Sequence, residues 1–247
     1  IPNRTPITAS EIGICATFGY GELNVSKKPK IAIFGTGNEL VEPGNNLNEG
    51  EIYNSNLYVF SDIVGNAGGE ILMQDVLKDN KKYLKSFLSQ ALESCDVVIS
   101  SGGVSMGRFD YVRDVFIELG VEEHFWKVAQ KPGKPLFFGS GNKTLIFGLP
   151  GNPVSSYIGF MVWVWPILNE MMGGNTLNPI HGELTESFPV ENIKYRYITY
   201  TKIQFSESDI NDAVIKDGRI DVSMYQPVAR LGYKDYAAIH DVFEMTP

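Results

Sequence analysis

Three glycine-bearing stretches carry the residues most suited to chemistry: Gly35-Thr36-Gly37-Asn38-Glu39, Ser101-Gly102-Gly103-Val104-Ser105 and Gly148-Leu149-Pro150-Gly151-Asn152-Pro153. Glycine lets backbone N–H groups approach a ligand closely, and the neighbouring hydroxyls add donors, so such loops suit a phosphate or a carboxylate. The third stretch is the most specific. Asn152 is a favourable N-cap and Pro153 a favourable first helical residue, which predicts free N–H groups at a helix start facing the glycine turn. Taken alone it is equally an ordinary strand-to-helix turn; two comparable loops elsewhere give it weight. None of the three has the spacing of a P-loop or of the dinucleotide fingerprint, so Walker-type ATP hydrolysis is not supported.

Carboxylates accompany these loops: Glu39 in the first, Asp79 before a predicted helix, and Asp110 shortly after the Ser-Gly-Gly stretch. Oxygen donors of this kind suit a hard cation such as Mg²⁺. Asp79 and Asp110 also read as helix N-caps, a role compatible with a ligand site at the same place. Lys131-Pro132-Gly133-Lys134-Pro135 puts two cations in a stiff turn. With 21 basic against 29 acidic side chains the net charge is −8, so an anion has to be captured by local cations, and the lysine pair is read as doing that. The same balance argues against an extended nucleic-acid footprint.

The elements that must position these loops follow an alternating pattern of apolar run, glycine loop and helix. Strands are predicted over 30–34, 70–77, 96–100, 125–129, 136–138 and 144–147, with helices over 55–67, 110–119 and 153–172 and one bearing Leu84, Phe87, Leu88 and Ala91 on a single face. Near-continuous apolar strands suit a parallel sheet covered on both faces. In such sheets ligands bind outside the carboxyl ends of the strands, so the three loops are expected to converge on one site. Ahead of the sheet, Thr8 three residues before Glu11 predicts a capping box, and Ile12, Cys15, Ala16 and Gly19 predict a short helix with its stop. The fold class is therefore α/β, a three-layer, mostly parallel sheet domain over 29–174 preceded by a linker and helix region over 1–28. From Gly173-Gly174-Asn175 the pattern changes to short alternating segments, and 175–247 reads as a small all-β domain.

At 43% hydrophobic and 20% charged residues the 247-residue chain is not a disordered one, and no apolar run approaches membrane-spanning length. Its two cysteines and three scattered histidines give neither a disulfide framework nor a transition-metal spacing, so reducing cytoplasm is the expected setting.

From about residue 7 to 173 the chain resembles the MoeA and gephyrin E-domain family of molybdopterin molybdotransferases. The resemblance rests on 29–44 with Thr36-Gly37-Asn38-Glu39-Leu40, on 52–56, on 96–111 with Ser100-Ser101-Gly102-Gly103-Val104-Ser105, on 131–135, and on Leu149-Pro150-Gly151-Asn152-Pro153-Val154-Ser155. Related adenylyltransferases typically have Gly-Gly-Thr-Gly where this chain has Gly-Gly-Val-Ser. The resemblance implies a molybdopterin-binding-like fold and insertion of molybdate, a substrate, into adenylyl-molybdopterin with Mg²⁺, releasing AMP. It places Glu39, Asp79 and Asp110 at the active site, holding the cation and positioning water. It places Lys131 and Lys134 near phosphate or oxyanion. Thr36, Gly37, Ser101, Gly102, Gly103, Ser105, Pro150, Gly151, Asn152 and Pro153 become substrate- and phosphate-binding.

The same resemblance implies a long region before Ile7, a homodimer in the intact protein with its active site at a subunit boundary, and an adenylyltransferase as pathway partner. The isolated chain is then expected to bind ligand, with turnover depending on that region. Asn38 stands where the family usually has Asp. The alternatives are a non-catalytic molybdopterin-binding or scaffold module and an adenylyltransferase-like domain.

Overall fold

Covered on both faces, the apolar strands assemble as one six-stranded sheet in a computed structural model that describes residues 1–78, 80–104, 111–130 and 132–174. In chain order the elements are α1 (Ala9–Thr17), β1 (Lys30–Thr36), β2 (Leu40–Val41), β3 (Ile52–Tyr53), α2 (Asn56–Asn66), β4 (Glu70–Leu77), α3 (Lys81–Ser94), β5 (Val97–Ser101), α4 (Tyr111–Glu118), β6 (Glu122–Trp126), β7 (Phe137–Gly141), β8 (Thr144–Leu149), α5 (Pro153–Gly159), a π-helical turn (Phe160–Val164) and α6 (Trp165–Met171).

The strand order is β4-β1-β5-β8-β7-β6. β1 pairs in parallel with β4 and β5, and β5 with β8, while β7 is antiparallel to both β8 and β6. β7 alone is reversed, so the mostly parallel three-layer architecture expected from the sequence is the one observed. Side chains alternate between two cores, as the period of a strand requires. Ile31, Ile33, Val97, Ile99, Leu145 and Phe147 face α2, α5 and α6, packing with Phe60, Phe160 and Trp163. Ala32, Phe34, Val98 and Ile146 face α3 and α4, packing with Leu88, Val115 and Phe116.

Four expectations change, the first being β7, which runs over Phe137–Gly141 instead of 136–138 because its ladder with β8 continues to Gly141. β6 occupies Glu122–Trp126 instead of 125–129, because Lys127 takes a left-handed backbone (φ 74) and ends the strand. The single helix over 153–172 is broken by the π turn, which widens the helix just before Pro166, a residue with no N–H for the carbonyl one turn back. The two-residue parallel ladder of β2 and β3 appears in a stretch where no strand was predicted. The capping box of α1 forms as predicted and Gly19 (φ 80) ends the helix, but Cys15 is its one buried residue and Ile12 is exposed. The proposed all-β domain over 175–247 lies outside the described residues. Among those described, no helix is long and apolar enough to cross a membrane.

Candidate functional site

β1, β5 and β8 run side by side in the same direction, so the loops that follow them emerge together at the carboxyl edge of the sheet. Between β1 and β5 the chain changes sense: after β1 it leads outward to β4, after β5 toward the opposite side, and such a switch opens a crevice. β6 runs with β8, since both oppose β7, and this brings the 127–136 connection with Lys134 to the same edge.

The glycine loops touch. Gly102 and Gly103 hold left-handed conformations (φ 88 and 73), which side-chain-bearing residues adopt at a cost. A Cβ on Gly102 would lie 3.1 Å from the carbonyl oxygen of Thr36, and the Gly102 and Gly151 backbones approach closely enough that a Cβ on Gly151 would lie 3.7 Å from the Gly102 Cα. The Gly102 N–H donates to the Leu149 carbonyl at 2.9 Å. Thr36, Ser101, Gly102, Gly103 and Gly151 therefore form one continuous backbone floor.

Asn56, the first residue of α2, ties this floor together, with its Nδ2 donating to Ser101 Oγ at 2.6 Å and to the Gly151 carbonyl at 2.8 Å. What sets Asn56 in place is the connection between β1 and α2. The Ile52 N–H donates to the Glu39 carbonyl and the Asn54 N–H to that of Val41, both at 2.8 Å. The Glu42 carboxylate accepts from Asn54 Nδ2 and from the Tyr58 hydroxyl, each at 2.8 Å. The Glu42 hydrogen bond raises the Tyr58 phenol above its ordinary pKa. Asn54 itself is buried and accepts the Leu57 N–H. Sequence reasoning singled out 52–56 without giving Asn56 a role. A bond between residues 45 and 95 positions apart leaves no local spacing to read.

Several of the other predicted residues are described at this edge of the sheet. The exposed Glu39 carboxylate curls back over Gly37, where a Cβ would sit 2.6 Å from both of its oxygens. Asn152 caps α5 as expected, its Oδ1 accepting the Ser155 N–H at 3.1 Å; this uses one of the helix-start donors, and Pro153 brings none. The Pro150 carbonyl accepts the buried Ser156 hydroxyl at 2.6 Å and fixes the turn from behind. Lys134 is exposed on a connection closed by the Val128 and Leu136 N–H groups, which both donate to its carbonyl at 3.0 Å. Asp79, Ser105, Asp110 and Lys131 lie outside the described residues.

Trp126 packs against the core on the α3 and α4 side and also reaches the site. Half-buried, it donates its indole N–H to the Val104 carbonyl at 2.9 Å, joining the end of β6 to the glycine loop. The Arg113 guanidinium lies 4.4 Å and the Lys127 ammonium 3.7 Å from its ring centroid, with Arg113 held in turn by both oxygens of Glu123.

Among the described residues no three carboxylates, histidines or cysteines gather as a ready cation cage. Mg²⁺ commonly keeps several waters and takes one or two protein carboxylates together with substrate phosphates, and an exposed Glu39 beside an anion-suited floor fits that pattern. A floor of hydroxyl and glycine backbone, with the Glu39 carboxylate over Gly37 and the Lys134 connection at the same sheet edge, is chemically suited to a phosphate and a cation together.

Comparison with known proteins agrees with this geometry. The structure of the molybdopterin biosynthesis MoeA protein from Pyrococcus horikoshii superposes with a TM-score of 0.63 at 33% identity, covering 70% of this chain and 43% of that one. A molybdopterin molybdenumtransferase from a Nostoc species is 37% identical over 176 residues, 70% of this chain and 40% of that protein. The Bacillus subtilis protein of the same name is 34% identical over 196 residues, 78% of this chain and 46% of that protein. The chain thus spans less than half the length of these relatives. The sequence profile described as "Probable molybdopterin binding domain" matches residues 32–170, more than half of the 247, and the chain belongs to that family.

Proposed function

We propose that this chain is the ligand-binding α/β part of a molybdopterin molybdotransferase, which inserts molybdate into adenylyl-molybdopterin and releases AMP in molybdenum cofactor biosynthesis. The observation that carries the reading is the backbone floor of Thr36, Ser101, Gly102, Gly103 and Gly151 at the sheet's switch point, in a chain whose similar proteins are named molybdopterin molybdenumtransferases.

On this reading the phosphate lies over the glycine floor, with Thr36, Gly37, Ser101 and Ser105 supplying donors, and the Pro150-Gly151-Asn152-Pro153 turn forms its far wall. Lys134, with Lys131, offsets the charge of the phosphate or of molybdate in a chain that is itself acidic. Glu39, Asp79 and Asp110 would hold Mg²⁺, which supplies charge neutralisation at the phosphoanhydride, and they orient the attacking water. Cleavage of this kind asks for positioning and charge control and needs no covalent nucleophile. The intact protein would act as a cytoplasmic homodimer fed by an adenylyltransferase.

The test is AMP release from adenylyl-molybdopterin with molybdate and Mg²⁺ under anaerobic conditions, run on this chain and on the longer Bacillus subtilis relative as the positive control. Release by this chain, alone or supplemented with the relative's remaining segment, supports the assignment. Pterin binding with no release under either condition favours a non-catalytic binding module. In a releasing form, Asp110→Ala is expected to abolish AMP production while leaving the fold intact.

A further inference from the structure

The two bonds of Asn56 fix which partner donates in each. A carbonyl oxygen only accepts, so the side-chain atom 2.8 Å from the Gly151 carbonyl has to be the donating Nδ2 and not Oδ1. The same Nδ2 stands 2.6 Å from Ser101 Oγ, so the hydroxyl accepts there. A serine hydroxyl has one proton to give, and no acceptor among the described residues takes it from Ser101. The residue is 4% exposed, at the last position of β5, where the chain turns into the glycine loop. Among the described residues, the Ser101 proton is therefore left without an acceptor on the protein side.

We propose that Asn56 is a positioning residue that occupies one lone pair of the Ser101 hydroxyl and so turns its proton toward the floor, where it donates to an anionic phosphate oxygen. The inference rests on the phosphate reading above and adds to it a direction and a residue. A free hydroxyl rotor can turn its proton in any direction; one that already accepts from Asn56 has its proton turned away from that amide and toward another acceptor. The Asn56 amide spends both protons on this task, one on the hydroxyl and one on the neighbouring loop. Polarity and loop spacing are therefore set by one side chain.

The experiment compares AMP with adenosine by chemical-shift titration on the full chain, for the wild type, Ser101→Ala, Asn56→Asp and the double variant. Ser101→Ala is expected to weaken AMP about tenfold or more, the size of a hydrogen bond to a charged group, and to leave adenosine unchanged. Asn56→Asp keeps the shape but turns the donor into an acceptor that claims the Ser101 proton, so it should also weaken AMP selectively. The two effects should not add, because both remove the same donated proton. AMP affinity unchanged in Ser101→Ala, or fully additive losses in the double variant, overturns the inference while leaving the phosphate site standing. Equal loss for AMP and adenosine marks a merely structural role and overturns it too. A wild type that binds no AMP overturns the phosphate reading and this inference together. Should Asn56→Asp fail to fold by its urea midpoint, Asn56→Ala takes its place in the cycle, and AMP affinity unchanged in Asn56→Ala, or a loss fully additive with Ser101→Ala, overturns the inference.

Discussion

At the scale of single residues, backbone conformation and charge do different work, and each can be removed separately. Gly103 combines a left-handed backbone with crowding: a Cβ there would overlap Val112 and lie 2.8 Å from Thr36 Oγ1. Gly103→Ala is expected to destabilise the fold by about 1–3 kcal/mol, whereas Gly21→Ala, at a glycine with open space around it, should change stability by less than about 0.5 kcal/mol. Urea melts of the two variants check this, and equal midpoints would contradict it. On the proposed reading Lys134 acts through its charge. Lys134→Ala should weaken binding of adenylyl-molybdopterin, and more strongly at low salt, where screening is least. A salt-independent affinity difference between wild type and variant would place the lysine outside the ligand's field. The convergence of the glycine loops was legible because residue type alone announces them. Asn56 and the second role of Trp126 were not, since each rests on a contact with a carbonyl far away in sequence.

At the scale of elements, the parallel strands were readable because burial on both faces removes polar residues from them: β1, β5 and β8 are buried almost throughout. β4 matched its expected span despite being an edge strand, with glycine before it and a polar run after. β6 shifted because Glu122, Glu123 and His124 occupy a half-exposed edge strand, and the apolar residues that suggested a strand, Val128 and Ala129, already belong to the turn after Lys127. The β2 and β3 ladder, two residues a side, is too short to leave any periodicity.

Opposite the α2 layer, α3 and α4 are joined at the surface by Glu118, whose carboxylate bonds Lys81 and Lys85. The Lys81 hydrogen bond first, and then that of Lys85, hold Glu118 below the ordinary carboxylate value. Because its folded pKa lies below the unfolded one, its contribution is complete above the unfolded pKa and disappears as pH falls through the folded value. Glu118→Gln should therefore lower the urea midpoint slightly at neutral pH and flatten the acid-side slope, with the two proteins converging toward about pH 3. A constant gap down to that pH would contradict the pairing.

At the scale of the whole molecule, a sheet with one crossover sense on each side of β1 and β5 leaves a single edge at which loops from distant segments meet. The tie from Asn56 to Ser101 and Gly151, and the tie from Trp126 to Val104, make that edge one unit, with the lysine connection and the glycine floor held to a common frame. Membership of the molybdopterin-binding family then gives the edge a chemical meaning that topology alone does not. Function is recorded in the site and not in the fold, so the decisive question is where the ligand sits. The measurement that answers it is an amide chemical-shift titration of the chain with adenylyl-molybdopterin. The account predicts the largest shifts at 35–39, 101–104 and 148–153, with smaller ones at 132–136 and near the start of α2. Saturable binding with those loops unmoved and the shifts gathered on another face would contradict it.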